Sequence, residues 1–321
     1  MKIKVKLLTV LVLVLCNVSC FSQNKSEFIK VTNWNVQTFF DSENDGNEYS
    51  EFVKSKTWGK NAYVKRIKNL VEVITALDSD VFVMEEIENQ EVLMDISNFL
   101  NNGWNFGKEY KYGTFVKDEG SSIGIGVISR FPVENVKIHD LDVEGEEMPL
   151  MRPVLEFTVK CKNQNVVILA NHWKSMSGGK EETEMWRNAQ EIVVSRILSE
   201  KDNLQNKILI LGDFNRDIND FCVEGDDVLI RSGKGFDFDG NAVRVKSGWF
   251  WNKDVKIGSY YYNEKWNRID QIFYLNCEIL DFFPETNGQW CDEETCVPKR
   301  YSIYKETGYS DHLPVSVLVK I

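Results

Sequence analysis

Leu209-Ile210-Leu211-Gly212-Asp213-Phe214-Asn215 is an apolar run that stops on a glycine, a carboxylate and an amide. A short run with no polar alternation reads as a strand buried on both faces. Its end delivers Asp213 and Asn215 to one edge of a sheet. Ser310-Asp311-His312, near the carboxyl terminus, makes a second stop of the same kind. Asp and Asn oxygens suit a hard divalent cation such as magnesium, and a histidine beside a carboxylate suits proton transfer. Chemistry on phosphate explains such a group more readily than a binding surface does.

Working outward, apolar patterning predicts strands over 28–36, 80–84, 122–129, 153–160, 165–170, 207–211, 248–251, 260–262, 268–275 and 313–319. Helical spacing predicts helices over 63–77, 90–100 and 184–199. No repeat or Pro/Ser-rich linker divides residues 23–321, so they read as a single domain. Strands dominate and the helices intersperse without regular βαβ alternation. The pattern suggests two packed sheets with helices outside.

Residues 1–22 read as an export leader. Lys2, Lys4 and Lys6 form a basic start, and 7–15 is an apolar stretch too short to span a membrane. Cys20-Phe21-Ser22 suits a cleavage that leaves Gln23 as the mature start, which predicts a secreted or periplasmic protein. The alternative is a lipidated Cys20 on the outer surface, although Asn17 stands where a lipoprotein signal favours Leu. Membrane contact is expected only in that case.

The formal charge of −11 argues against holding nucleic acid by a general basic surface, because phosphate neutralisation needs clustered Lys and Arg. It leaves room for a catalytic groove that borrows positive charge from a metal. Outside the leader the cysteines are Cys161, Cys222, Cys277, Cys291 and Cys296. Cys291 and Cys296 flank an acidic loop, and a disulfide between them is favoured over free thiols in an oxidising compartment.

Polar groups end five of the predicted strands: Asn35, Glu86, His172, Asp213 with Asn215, and Asp311 with His312. Asp270 interrupts a sixth. In order along the chain stand Trp34-Asn35-Val36, Glu85-Glu86-Ile87-Glu88-Asn89, Asn171-His172-Trp173-Lys174-Ser175, Gly212-Asp213-Phe214-Asn215, Arg268-Ile269-Asp270 and Ser310-Asp311-His312. One such motif is weak and six in sequence are strong. With them the chain resembles the endonuclease/exonuclease/phosphatase family, of secreted bacterial type and DNase I-like. The resemblance implies a four-layer α/β/β/α sandwich, two packed mixed sheets flanked by helices.

It also implies roles. Glu86 would be the principal metal ligand, with Asn35 and Asp311 completing the shell of a magnesium ion (manganese and calcium being alternatives). Asp213 would orient and deprotonate the attacking water, and Asn215 would hold that water and a phosphate oxygen. Asp270 would fix and charge His312, while His172 would contact the phosphate from the other side. Arg152 and Lys174 are candidate substrate contacts. Two positions depart from the family pattern: Glu85 replaces the usual Gln, and Gln271 stands where an aromatic is common.

Blander readings compete at several places. His139 is expected to be structural, and Glu85 and Glu88 to be local solvated charges. A surface ion pair with Arg268 is the alternative for Asp270, whose strand setting favours burial. Trp249-Phe250-Trp251 and Tyr260-Tyr261-Tyr262 are expected mostly in the core, base stacking and membrane contact being the alternatives. Arg187 offers either a substrate contact or helix packing. The expected function is a secreted, magnesium-dependent endonuclease cutting DNA or RNA, with no obligate protein partner. The rivals are a phosphatase or phospholipase C-like enzyme on a small phosphoester, and a non-catalytic binding module.

Overall fold

Alternation along Val81-Phe82-Val83-Met84 sends Val81 and Val83 into one apolar cluster and Phe82 and Met84 into another. A strand buried on both faces needs packing on both sides, and the layers follow from that. The structure is a computed structural model that describes residues 28–321 apart from 104–106, 142, 144–148, 162–163, 201–205 and 252–254. The leader at 1–22, its alternative anchor Cys20 and the start at Gln23 lie outside the described residues.

The elements run β1 (Phe28–Phe39), α1 (Ser50–Lys54), α2 (Lys60–Leu77), β2 (Val81–Ile87), α3 (Gln90–Gly103), β3 (Tyr112–Val116) and β4 (Gly124–Ser129). Next come β5 (Val133–His139), β6 (Val154–Cys161), β7 (Gln164–His172), α4 (Glu184–Ser199) and β8 (Lys207–Asp213). The rest are β9 (Cys222–Glu224), β10 (Asp227–Lys234), β11 (Asp237–Ser247), β12 (Tyr260–Tyr262), β13 (Lys265–Asn267), β14 (Asp270–Leu275), β15 (Ile279–Pro284) and β16 (Val315–Lys320). One sheet has the order β15-β16-β1-β2-β4-β3, the other β5-β6-β7-β8-β14-β11-β10-β9, and β12-β13 is a separate hairpin.

Each large sheet is antiparallel except at its centre, where β1 lies parallel to β2 and β7 parallel to β8. Parallel neighbours need a crossover, and helices supply it: α2 for the first pair and α4 for the second. Ile29, Val31, Val83, Val127, Val315 and Val317 of one sheet share a core with Leu155, Phe157, Ile168 and Leu209 of the other. Ile67, Leu70 and Ile74 of α2 and Leu93 and Ile96 of α3 cover the outer face of the first sheet. On the second sheet, α4 rests on β10 and β11. The result is the expected four-layer sandwich of helices, two sheets and helices.

Several expectations need correction. The predicted strand at 248–251 is a 3₁₀ turn, Gly248–Phe250, whose Trp249 N–H is accepted by Ser247 Oγ at 3.2 Å. The strands β3, β5, β9, β10, β11, β13 and β15 fall outside the predicted ones. Most are peripheral; β5 exposes nearly every side chain and so carries no apolar signature. Cys291 and Cys296 are both free. The Cys291 Sγ points to the Thr286 carbonyl at 3.0 Å. Backbone closes the loop instead, with Asp292 N on Val297 O and Cys296 N on Asp292 O, both at 2.9 Å.

Gly212 sets the spacing of the central pair. It has φ 141, and a Cβ there would stand 1.9 Å from the Asn171 carbonyl oxygen. Gly212→Ala is therefore expected to cost about 3 kcal/mol or more, combining a left-handed backbone with a clash against β7. Urea unfolding with an unchanged midpoint would refute this assignment.

Candidate active site

Both strands of the first parallel pair break register at their carboxyl ends, β1 between Asn35 and Phe39 and β2 between Glu85 and Ile87. Gln37, Thr38 and Glu86 take φ of 56°, 44° and 68° there, the left-handed region that non-glycine residues rarely occupy. The extra residue on β2 lets Ile87 rejoin the outer cluster of Phe82 and Met84 and frees Glu86 from the ladder, as bulges beside active sites do. Its Oε2 accepts from Thr38 N at 2.5 Å and its Oε1 from Asn35 Nδ2 at 3.1 Å.

Arg66 holds this strained turn. It is buried on α2, in line with Tyr63, Ile67 and Leu70. Its guanidinium donates to the carbonyls of Thr38 (2.9 Å), Val36 (3.2 Å) and Gln37 and lies 4.0 Å from the Tyr301 ring centre. Sequence reading missed this residue. The available signal was a cation placed on the apolar stripe of an amphipathic helix.

The second sheet contributes by register. His172 pairs with Asp213 across β7 and β8, and Asp270 pairs with Asp213 across β8 and β14. Asp213 Oδ1 accepts from Asn215 N at 2.8 Å, and Oδ2 accepts from Asn35 Nδ2 at 3.0 Å, which ties the two sheets together. His312 Nδ1 lies 2.8 Å from Asp270 Oδ2, while its Nε2 stands 4.0 Å from Asp213 Oδ2. His172 Nε2 stands 4.0 Å from the same oxygen and 3.9 Å from Glu86 Oε1. Asn215, with φ 46, donates its Nδ2 to Trp173 O at 3.1 Å. The next residue, buried Arg216, anchors the loop to α4 through Glu191 and Glu184, both at 2.5 Å.

Seven of the ten sequence-predicted residues thus meet: Asn35, Glu86, His172, Asp213, Asn215, Asp270 and His312. Asp311 is partly exposed and faces Arg300 at 3.8 Å. Arg152 is bonded to the Tyr49 hydroxyl and within electrostatic reach of His172. It also helps lower the pKa of half-buried Lys174, after burial itself. Arg187 is fully buried and holds the Lys174 and Lys180 carbonyls, so it organises the loop rather than facing solvent. Asp270 is buried on His312, not paired with Arg268. His139 lies 2.8 Å from Glu156, away from this cluster.

Glu85 and Glu88 are not solvated. Both are buried, at 0% and 2% exposure. Alternation turns Glu85 inward between the sheets, where its Oε2 accepts from Asn33 Nδ2 at 3.4 Å. Burial, followed by Asp270 and Asp213, holds its carboxyl well above the usual range. Glu88 is pushed up to about 7, mainly by burial, and accepts from Asp41 N at 2.5 Å.

Charge is divided unevenly. Burial pushes Asp213 upward, with Asp270 adding to it and His312 opposing. Burial also works against a charged His312, but Asp270, Asp213 and Asp311 outweigh it and keep the imidazolium to high pH. His172 goes the other way: burial, then Arg152 and His312, hold it neutral. Its Nδ1 is buried without a hydrogen-bond partner. Asp213, Asp270 and His312 each place one ligand atom within 4.8 Å of the others, but His312 and Asp270 are occupied with each other. The residues fit a hard cation better on the Glu86 side, where the carboxylate is bonded to no imidazole, while Asn35 turns its Nδ2 toward Glu86 and its Oδ1 accepts from Gln37 N.

A family model described as Endonuclease/Exonuclease/phosphatase family matches residues 30–282, stopping short of Ser310-Asp311-His312. No curated protein matches. Among solved structures, truncated TDP2 of Caenorhabditis elegans is 14% identical, with 92% of this chain and 98% of that one covered at a TM-score of 0.58. TDP2 of D. rerio complexed with a single-strand DNA product is 14% identical, at 92% and 99% coverage and TM-score 0.58. An endonuclease/exonuclease/phosphatase family protein from Bacteroides thetaiotaomicron is 17% identical, at 91% and 97% coverage and TM-score 0.55. At these identities the likeness is one of fold.

The Asp270–His312 pair makes a prediction independent of any assay of turnover. A raised imidazole pKa adds stability that is whole below the unfolded value of about 6.5 and is lost as pH rises through the folded value. NMR titration should find His312 protonated through neutrality, and in Asp270→Asn it should lose its proton at lower pH. An unshifted titration would remove Asp270 as the source of the charge.

Proposed function

This chain belongs to the endonuclease/exonuclease/phosphatase family, and we propose that it is an exported, metal-dependent phosphodiesterase that cuts DNA or RNA. One observation carries the reading: the Asp213 carboxylate lies 4.0 Å from two imidazoles of opposite character, one held charged and one held neutral. That gap suits a water and a phosphate oxygen.

Glu86, with Asn35 and Asp311, would hold the cation, magnesium first and manganese or calcium as alternatives. When bound it supplies positive charge to a phosphate oxygen and makes a nearby water more acidic. The chain's own groups do the rest. Asp213 takes the proton of the attacking water, its raised pKa placing it near neutrality where a general base is most effective. His312, charged and braced by Asp270, steadies the negative charge that grows on the phosphate. Asn215 and neutral His172 each offer one hydrogen-bonding group to the phosphate oxygens. Arg152 and Lys174 supply positive charge at the rim.

A basic start and a short apolar stretch ahead of the domain support export, with a lipid anchor at Cys20 as the alternative. A small phosphoester, such as an inositol phosphate or phospholipid head group, is the second reading. The net charge of −11 favours it, because a duplex makes many phosphate contacts.

Asp213→Asn is expected to lower kcat by about 10³-fold or more without loss of fold. Glu86→Gln should raise the magnesium concentration needed for half-maximal rate, and chelator should abolish turnover. With limiting cation the rate should fall as pH drops through about 7, where Asp213 takes up its proton. That limb should move to lower pH as magnesium saturates, since a nearby cation favours the carboxylate. Oligonucleotides, sphingomyelin and inositol phosphates assayed in parallel choose between the readings. Near-normal rates in both variants would end the site assignment.

A further inference from the structure

Tyr260-Tyr261-Tyr262 is not core, contrary to expectation from its aromatic character. It forms β12, and its backbone is pinned to the active site: Leu313 N donates to Ser259 O at 2.7 Å, and Tyr260 bridges to His312. Strand alternation divides the three rings. Tyr261 packs on Trp266 of β13 at 5.0 Å. Tyr260 and Tyr262 project together on the other face. The Tyr260 ring lies 4.7 Å from that of His312, and Tyr262 lies 6.2 Å beyond Tyr260 with only 15° between their planes. Exposure rises outward, and Tyr262 is 59% exposed. A parallel aromatic pair thus runs from the imidazole into solvent with its outer ring uncovered.

The hairpin is held in place. Asn263 and Glu264, at φ 48 and 60, link its strands as the only residues between Tyr262 and Lys265, the tight-turn geometry that fixes register. Arg300 acts electrostatically on Tyr260 and reaches Asp311 at 3.8 Å, with its side chain 72% exposed. Arg300 also lines a cavity of about 300 Å³ that includes Thr38, the residue bonded to Glu86. An aromatic pair with an exposed cation near its inner ring, next to a group suited to phosphate, is the chemistry of base stacking with backbone neutralisation.

Resting on the phosphodiesterase reading, we infer that Tyr260 and Tyr262 form a stacking platform for an unpaired nucleobase beside the phosphate being cut, with Arg300 on the adjoining backbone. A duplex is a poorer fit, because its bases hide their faces against each other and its phosphates ask for more cations than this rim holds. A lipid surface is also a poorer fit: the tip of the hairpin is Asn263-Glu264, polar and acidic, where membrane insertion wants apolar or basic groups.

The test compares the magnesium-loaded wild-type chain with Tyr262→Ala and Tyr262→Phe on two substrates. One is a short single-stranded DNA oligonucleotide; the other has the same backbone with abasic sugars flanking the cut. Tyr262→Ala should lose about ten-fold or more in kcat/KM on the intact strand, chiefly through KM, and little on the abasic one. Tyr262→Phe should keep the wild-type rate, since stacking needs the ring and not the hydroxyl. Circular dichroism establishes that the hairpin variants fold. Equal losses on both substrates, or no loss on the intact strand, would overturn the platform alone. Binding of phosphatidylcholine vesicles that depends on Tyr262 would reassign the hairpin to membranes. A wild-type chain inert on both oligonucleotides would overturn the platform together with the reading beneath it.

Discussion

Three carboxylates, Glu85, Asp213 and Asp270, are buried to 2% exposure or less where the carboxyl ends of two sheets meet, with His312 the one imidazole held charged beside them. Ionised groups out of water are costly unless paired or neutralised. The site answers this in separate ways. Asp270 is paired with His312 at 2.8 Å. Asp213 is driven toward protonation, its pKa pushed up to about 7 by burial. Glu85, bonded through its side chain to Asn33 Nδ2, is held toward the neutral acid by burial. A divalent cation at Glu86, as proposed, would complete the balance.

Such a cluster stays in place only if the backbone beneath it cannot relax. The left-handed residues Gln37, Thr38 and Glu86 store strain at the tips of β1 and β2. Arg66 counters it by binding three successive carbonyls, and removing a buried, multiply bonded arginine is expected to cost several kcal/mol, about 3–5. Arg216 does the same for the loop that carries Asn215, through Glu184, Glu191 and Asn188. Neither arginine faces a substrate. Each converts a flexible strand end into a rigid one, so that Asp213 and the two imidazoles keep their spacing without bound ligand.

Legibility in the sequence followed burial. Strands with unbroken apolar runs, such as 81–84 and 207–211, announced themselves because both faces needed covering. Strands with few buried apolar positions did not: β5 shows almost nothing apolar to a core, and β10–β11 buries only Val228, Ile230 and Val245 in it. Charge was misread wherever parity decided it. Glu85 looks solvated in a string of acids, yet alternation with Val83 turns it inward. Glu88 is buried under the acidic loop that starts at Asp41. The tyrosines erred in the opposite sense, since an aromatic strand suggests core and a hairpin with one uncovered face does not provide it.

Read alone, the chain determined which groups reach a sheet edge, because an apolar run that halts on Asp, Asn or His must end where water begins. It therefore named Asn35, Glu86, His172, Asp213, Asn215, Asp270 and His312 before any coordinates. Tertiary structure decided their distances and charge states. Those depend on register, on bulges that swing one side chain out of step, and on buried arginines from distant helices, none of which leaves a local pattern. Protonation is settled by the field of every neighbour at once, so only the assembled sheets could make one histidine an acid and the other a neutral ring.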